Sequence, residues 1–500
     1  MSRWATYDRV QVDRFVAMAV AAGVLALGLH GCGSGENDAR PAAPGPAAAA
    51  LPPEELIPAL RREFEGSYPA LAPPSVGVKT WKIVARPTEV QVFDDRMLQV
   101  WSYNGQVPGP VLRVRFGETV RVELVNGLPQ PTTIHWHGVR VPNAMDGVPN
   151  VTQPPVLPGE SFVYEFVPKD AGTFWFHPHV RSSEQVERGL YGALIVEDPQ
   201  PKPYSQDVLW ILDDWRLTPD GSAIDPNFNT RQDLLHDGRM GNVIAVNGRT
   251  DEELTVKAGE RIRLRILNSA NARVFIPDFS RLDAEIIAVD GKYAAAPFVS
   301  RRLEVSPGNR VDFDITFSPE DAGRVIPIYD RFQRKPNRLA TIRVLDEVVE
   351  TPRFDSPAEA HVPEWKAAES LEPTLAYTLD TRPGGKYGIE WTMNGMTYSA
   401  HERPNTLYLN EWAKIRFTNE SDRLHPMHMH GNFFRLLTRN GRRIPERFWR
   451  DTVLTRPKET IEVALVPIDE GPWLLHCHIL EHAAAGMMTI VDVKPREPGS

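Results

Sequence analysis

A chain of 500 residues has room for about three domains of ordinary size. Its 42% hydrophobic content excludes wholesale disorder, while 45 prolines and 35 glycines argue for many short strands and turns rather than a helical bundle. Lys plus Arg number 56 and Asp plus Glu 65, giving a formal charge of −9 that offers nucleic acid no general electrostatic attraction.

The N-terminus places Arg3, Arg9 and Arg14 before an apolar run from Phe15 to Leu29, too short for a comfortable membrane span. Residues 1–32 therefore read as an export signal, and the protein is expected in the periplasm or cell envelope. The order Leu29-His30-Gly31-Cys32 resembles a lipoprotein cleavage box, so Cys32 is a candidate lipid anchor, with plain secretion as the alternative. An Ala- and Pro-rich linker follows over 33–75. The only other cysteine is Cys477, so a lipidated Cys32 leaves no internal disulfide.

One pattern then occurs three times at intervals of about 140–150 residues. Asn104-Gly105, Asn247-Gly248 and Asn394-Gly395 each precede an alternating strand. These strands carry Val120, Val122 and Leu124; Ile262, Leu264 and Ile266; and Ile415 and Phe417. Alternation with period two predicts antiparallel strands of β-sandwiches with one face in a core. It also puts Arg261, Arg263 and Arg265 on a solvent face. The repeats divide the chain into domains at 76–200, 201–350 and 351–500.

Ten of the 14 histidines fall in four short clusters. These are His135-Trp136-His137, His177-Pro178-His179, His425-Pro426-Met427-His428-Met429-His430 and His476-Cys477-His478-Ile479-Leu480-Glu481-His482. On a strand, residues i and i+2 share a face, so each His-X-His pair aims two imidazoles at one place. Four such pairs, from the first and third repeats only, point to a shared metal cluster. Cys477 then faces away from His476 and His478 and can serve a separate metal with His425, His482 and a thioether from Met487 or Met488. Two imidazoles, a thiolate and a weak thioether suit electron-transferring copper.

At these residues the sequence resembles the three-domain multicopper oxidases, which include laccases, cuprous oxidases and ferroxidases. The resemblance spans about residues 76–498. It implies an all-β fold of three cupredoxin-like Greek-key β-sandwich domains, and four copper ions. By the resemblance His425, Cys477, His482 and Met487 hold a mononuclear blue copper. His135 and His428 hold a type 2 copper, and His137, His177, His179, His430, His476 and His478 a type 3 pair. The implied reaction couples four one-electron oxidations of a donor at the blue site to reduction of dioxygen to water, with Cys477 carrying the electrons. Asp146 falls where the family places a proton-relay acid, and Glu481 is a substitute for the acid that Ala483 replaces.

Two other function classes fit part of this pattern. His478-Ile479-Leu480-Glu481-His482 fits a zinc-peptidase pattern with Glu481 as base, but leaves Cys477 and the other clusters unexplained. A cupredoxin that has lost its coppers conflicts with the filled ligand positions. No methionine-rich run appears, which favours a small phenolic donor, with a cuprous or ferrous ion as the alternative. Asp213 and Asp214 are candidates to guide such a cation. His236, Asp237 and Met240 lie in a stretch with the composition of a lid.

Overall fold

The computed structural model describes residues 72–92, 96–359 and 366–497, together with Leu56, Pro58 and Ala59. The export signal, Cys32, His361 and most of the linker lie outside these residues. Among the described residues no helix is long and apolar enough to cross a membrane.

The three copies of the pattern become three copies of one arrangement. Strands Glu118–Asn126, Arg261–Asn268 and Ala413–Asn419 each pair antiparallel on one side, with Ser161–Phe166, Arg310–Thr316 and Thr460–Leu465 respectively. On the other side each pairs parallel, with Gly77–Val92, Gln206–Trp215 and Leu375–Pro383. The expectation of purely antiparallel strands is therefore corrected: each repeat is a mixed sheet. The asparagines before Gly105, Gly248 and Gly395 have φ of 58°, 52° and 56°, and these glycines have 81°, 75° and 72°. Positive φ at both central residues is the type I′ hairpin that Asn-Gly favours. Each asparagine Oδ1 also accepts a backbone N–H from the neighbouring strand, at Val84, Ile211 and Thr378.

Six sheets form among the described residues, two in each third of the chain. Three large apolar clusters sit between them. The first, around Ile83, Trp136 and Phe176, also takes in Phe433 and Trp449 from the last third of the chain, so the first and third repeats share a packed boundary. The second is built on Ile262, Leu264 and Ile266, and the third on Met427, Cys477 and Met487.

The arginine row corrects the sequence reading. Arg263 and Arg265 are 3% and 2% exposed rather than solvent-facing. Arg263 forks onto Asp312, and Arg265 onto Asp207 with a further contact to Thr173 of the first repeat. Alternation identifies a polar face; here that face lies against another domain, and each guanidinium is matched to a carboxylate, as burial of charge requires.

Candidate metal centre

The histidine clusters come together from two sheets. His135–His137 pairs antiparallel with Gly172–His177, setting His135 opposite His177. His425–Met429 pairs with Gly471–Cys477, setting His428 opposite His476 and Met427 opposite Cys477. His179, His430 and His478 stand just past the ends of their strands, so strand alternation places only part of the set. His137, His177 and His478 form one group whose nitrogens lie within 4.8 Å of each other. Further groups join His135, His179 and His430; His428, His430 and His476; and His135, His137 and His428. All eight rings thus belong to one nest.

The nitrogens that carry no hydrogen bond define what this nest can do. His135, His177, His179 and His428 leave Nε2 unpartnered in the buried interior, His137 leaves Nδ1, and His478 leaves both. His430 and His476 bring their Nε2 atoms to 3.2 Å. The opposite nitrogens are held: His135 Nδ1 donates to the Asp146 carbonyl at 2.8 Å, His428 Nδ1 to the Asp451 carbonyl at 2.8 Å and His430 Nδ1 to Asp146 Oδ2 at 2.7 Å. Fixing one nitrogen as donor leaves the other as a metal-directed lone pair. Burial, reinforced by neighbouring imidazoles, holds His137, His177, His179, His430 and His478 well below the usual histidine range, and His476 at about 3. Eight buried, inward-directed imidazole nitrogens are a fit for several closely spaced copper ions.

Cys477 faces the other way, as its position between His476 and His478 predicts. Its Sγ lies 3.6 Å from His425 Nδ1 and 3.8 Å from His482 Nδ1, and the two nitrogens are 3.2 Å apart. Each ring is anchored by Nε2: His425 against Ser421 Oγ at 2.9 Å, and His482 as donor to the His236 carbonyl at 2.8 Å. Burial pushes the Cys477 thiol up, so metal uptake must displace its proton. Met487 is fully buried in the same apolar cluster as Cys477, whereas Met488 packs with Val148, Leu474 and Ile490 on the other face. Of the two methionine candidates, Met487 is thus the one that shares the Cys477 cluster. Met487→Leu is expected to keep the blue colour while raising the reduction potential, each shift of about 59 mV being tenfold in a one-electron equilibrium. Potentiometry against wild type checks this.

Asp146 belongs to the nest. Beyond its bond to His430, its Oδ1 stands 3.2 Å from His135 Nδ1 without hydrogen-bonding geometry. Glu481 does not reach it: buried at the start of the short helix Leu480–Ala484, it accepts Arg239 N–H at 3.0 Å and Asn271 Nδ2 at 2.8 Å. The peptidase pattern also comes apart, since His478 groups with His137 and His177 while His482 groups with His425 and Cys477.

Asp213 and Asp214 are 5% and 1% exposed, so neither presents a carboxylate for guiding a cation from solvent. Asp213 accepts from Tyr191 and Trp215, and Asp214 is bound to Arg273. The lid stretch has a definite seat. His236 caps His482, Asp237 Oδ1 accepts Leu424 N–H at 2.9 Å, and buried Arg239 pairs with Glu187 at 2.9 Å. Met240 contributes only its carbonyl, to Arg216.

Two residues absent from the sequence reading support the nest. Asp451 Oδ1 contacts His137 Nε2 at 3.2 Å, and Arg310 forks onto both Asp451 oxygens at 3.0 and 2.6 Å. Burial raises the Asp451 carboxyl, but Arg310 and His428 overcome it and hold it at about 2. Arg310 comes from the middle repeat, which supplies no histidine to the nest. Gly308, at φ +88°, lets that repeat approach: a Cβ there would sit 2.9 Å from His137 Cε1 and 3.0 Å from His478 Cδ2. With its nitrogens unsaturated, the copper-free chain is expected to unfold at lower temperature. Saturation of one site at 1,000 times Kd adds about 4 kcal/mol, and melting curves before and after chelation check this.

A cavity of about 290 Å³ reaches the nest at His179 and His476. Ala483 and Ala484 form part of its wall.

Three family models described as multicopper oxidase match residues 85–201, 206–326 and 370–497. Multicopper oxidase MmcO of Mycobacterium tuberculosis (strain ATCC 25618 / H37Rv) is 30% identical over 435 residues, covering 78% of this chain and 82% of its own. A multicopper oxidase from Pseudomonas thermotolerans superposes with a TM-score of 0.71 at 31% identity, covering 84% of this chain and 100% of its own. The laccase-like multicopper oxidase CueO from an Ochrobactrum species gives 0.73 at 26% identity, over 85% and 100%. A cupredoxin-like all-β architecture, a thiolate set and an eight-imidazole nest are thus found in a chain that belongs to the multicopper oxidase family and is a copper oxidoreductase using oxygen.

Proposed function

We propose that the protein couples four one-electron oxidations of a small donor to the reduction of one dioxygen to two waters, consuming four protons. The observation that carries the reading is the single dipeptide step on either side of Cys477. Its thiolate belongs to one donor set while His476 and His478 belong to the other. Four coppers would occupy these sets: one held by His425, Cys477, His482 and Met487, one by His135 and His428, and a pair by His137, His177, His179, His430, His476 and His478. Bound there, copper supplies reversible one-electron chemistry on the thiolate side and dioxygen binding in the nest.

The chain does the rest. The covalent path through Cys477 spans the two sets without a gap of solvent. Asp146 is bonded to His430, and its Oδ1, free of a hydrogen bond, is the oxygen positioned to relay protons to the nest. Dioxygen and water enter by the cavity at His179 and His476, where Ala483 offers no acid. Protons therefore arrive through water to Asp146, not through a carboxylate at position 483. Export under residues 1–32, with Cys32 as lipid anchor, puts this chemistry in the periplasm or cell envelope; the basic-then-apolar order of the segment supports it. The domain bounds at 76–200, 201–350 and 351–500 complete the proposal.

A phenolic donor accords with the Ochrobactrum relative, which has oxidase activity towards lignin model compounds. A metal-ion donor is favoured by a different observation. His425 and His482 are fully buried, and the outer nitrogen of His482 is covered by the His236 carbonyl. A bulky phenol needs that segment to move, whereas transfer from a small ion does not. Oxygen uptake with a methoxyphenol, ferrous ion and cuprous ion in parallel separates the two. Faster uptake with the phenol establishes a laccase, and uptake with the ions alone a metal oxidase. No uptake with any donor, by protein carrying its coppers, overturns the oxidase reading.

A further inference from the structure

Both imidazoles of the thiolate set pack against the same indole. The Trp391 ring centroid lies 4.3 Å from that of His482 at an interplanar angle of 35°, and 4.9 Å from that of His425 at 70°. Among the described residues no other aromatic ring packs on either imidazole, apart from the two rings themselves at 5.0 Å. Trp391 is 1% exposed and stands on the strand Ile389–Met393, in the apolar cluster that also holds Cys477 and Met487. Its backbone is fastened to the turn between two of the proposed ligands, His482 and Met487: Trp391 N–H donates to the Ala485 carbonyl at 3.0 Å. Gly486, at φ +115°, lets that turn come close, since a Cβ there would lie 3.1 Å from the Trp391 carbonyl oxygen.

The indole nitrogen reaches the middle repeat. Trp391 Nε1 donates to the Leu234 carbonyl at 2.8 Å, at the end of the short helix Arg231–Leu235. The last carbonyls of a helix have no partner inside it. Here the Leu234 carbonyl is taken by Trp391, and that of His236, the residue after the helix, by His482 Nε2 at 2.8 Å. One helix end of the middle repeat therefore holds both the indole and the imidazole on which the indole packs. His425, Cys477, His482 and Met487 are all fully buried behind this arrangement.

A copper held by one thiolate and two neutral imidazoles carries a single positive charge when oxidised and none when reduced. Dry, apolar surroundings disfavour the charged form and so raise the reduction potential, whereas admitting water lowers it. We propose that Trp391 is a positioning residue for this copper: its ring keeps water off both imidazoles, and its N–H, through Leu234, holds the middle repeat's cap on His482, so that the site keeps a high reduction potential. The proposal rests on the reading of the thiolate set as a copper site. Sequence reading missed Trp391 because it is one apolar residue among many before an Asn-Gly turn, while its partners lie at Leu234, His425 and His482.

The test is potentiometric titration of the blue absorption in the copper-loaded wild type, Trp391→Phe and Trp391→Leu. Phenylalanine keeps a ring over the imidazoles but lacks the N–H to Leu234, and leucine lacks both. Trp391→Leu is expected to keep its blue copper and to shift the one-electron equilibrium at least tenfold toward the oxidised form, a fall of about 59 mV or more. Trp391→Phe is expected to shift it in the same direction by less. The electron paramagnetic resonance of the thiolate-set copper is expected to change in the same order. Removing the indole also leaves a cavity, so both variants should melt at lower temperature. A residue that only fills space would lower the melting temperature and leave the potential and the resonance as in the wild type, and that result overturns the proposal, as does a rise in potential in either variant. If Trp391→Leu does not fold, Trp391→Phe decides on the same two readouts. Absence of blue copper from the wild type sinks the reading of the thiolate set itself, and is told apart from failure of this proposal because it is seen before any substitution.

Discussion

Replacing Cys477 by serine is expected to bleach the protein and stop donor oxidation while leaving the histidine nest loaded. The change is nearly isosteric at a fully buried position, and the introduced hydroxyl costs about 1–3 kcal/mol if it finds no partner. The variant should therefore fold, with a lowered melting temperature. What it loses is the thiolate, the one anionic donor among the residues proposed for the mononuclear site and the covalent start of the path to His476 and His478. Altering a group behind a metal ligand typically costs about 10–100-fold, and removing the ligand itself should exceed about 10³-fold. Copper content is expected to fall from four to three per chain. Visible absorption, copper analysis and oxygen uptake on one preparation check all three consequences, and a variant that keeps its colour would refute the assignment of the thiolate set.

The second large effect is expected at a residue from the repeat that contributes no histidine. Arg310 is fully buried and binds the Asp451 carboxylate with both terminal nitrogens, while its Nε donates to the Thr173 carbonyl at 3.1 Å. Asp290 sits on the same guanidinium at 3.7 Å and accepts the Asp451 N–H at 3.1 Å. Arg310→Met removes the cation that contacts both of these buried acids. Breaking a buried pair from one side costs about 3–5 kcal/mol, because the remaining charge has neither partner nor water. Arg310→Lys keeps the charge but loses the fork and should fall between variant and wild type. Since Asp451 also braces His137 and, through its carbonyl, His428, copper affinity of the nest should drop by about 10–100-fold as well. Denaturant unfolding and copper retention under a competing chelator measure the two effects. A loss below about 1 kcal/mol with copper fully retained would mean that the middle repeat does not brace the site.

These two residues also mark how far local sequence can be read. Cys477 was legible because its neighbours carry the signal: alternation on a strand separates it from His476 and His478, and the structure puts it against His425 and His482. The same rule failed for Arg263 and Arg265. Alternation distinguishes two faces, but whether the polar one meets water or another domain depends on partners such as Asp207 and Thr173, far away in the chain. Arg310 and Asp451 are 141 residues apart, and no spacing rule connects them. Nor does any side-chain pattern announce that the main-chain carbonyl of His236 caps His482. Asp213 and Asp214 show the converse case: a paired acidic motif suggests a surface function, whereas the fold consumes both groups internally in bonds to Tyr191, Trp215 and Arg273. Clusters of ligands close in sequence are thus readable in advance, while the braces, caps and charge pairs that hold them come from tertiary contacts.

In the proposed function, two donor sets joined at Cys477 let single-electron donors reduce dioxygen completely. This is tested most directly by the stoichiometry of a slow, one-electron donor against oxygen, with peroxide assayed in the same vessel. Four donors oxidised for each dioxygen consumed, with no hydrogen peroxide released, is the result expected if the nest receives electrons from the thiolate set and completes the reduction to water. Two donors per dioxygen with accumulating peroxide would contradict it.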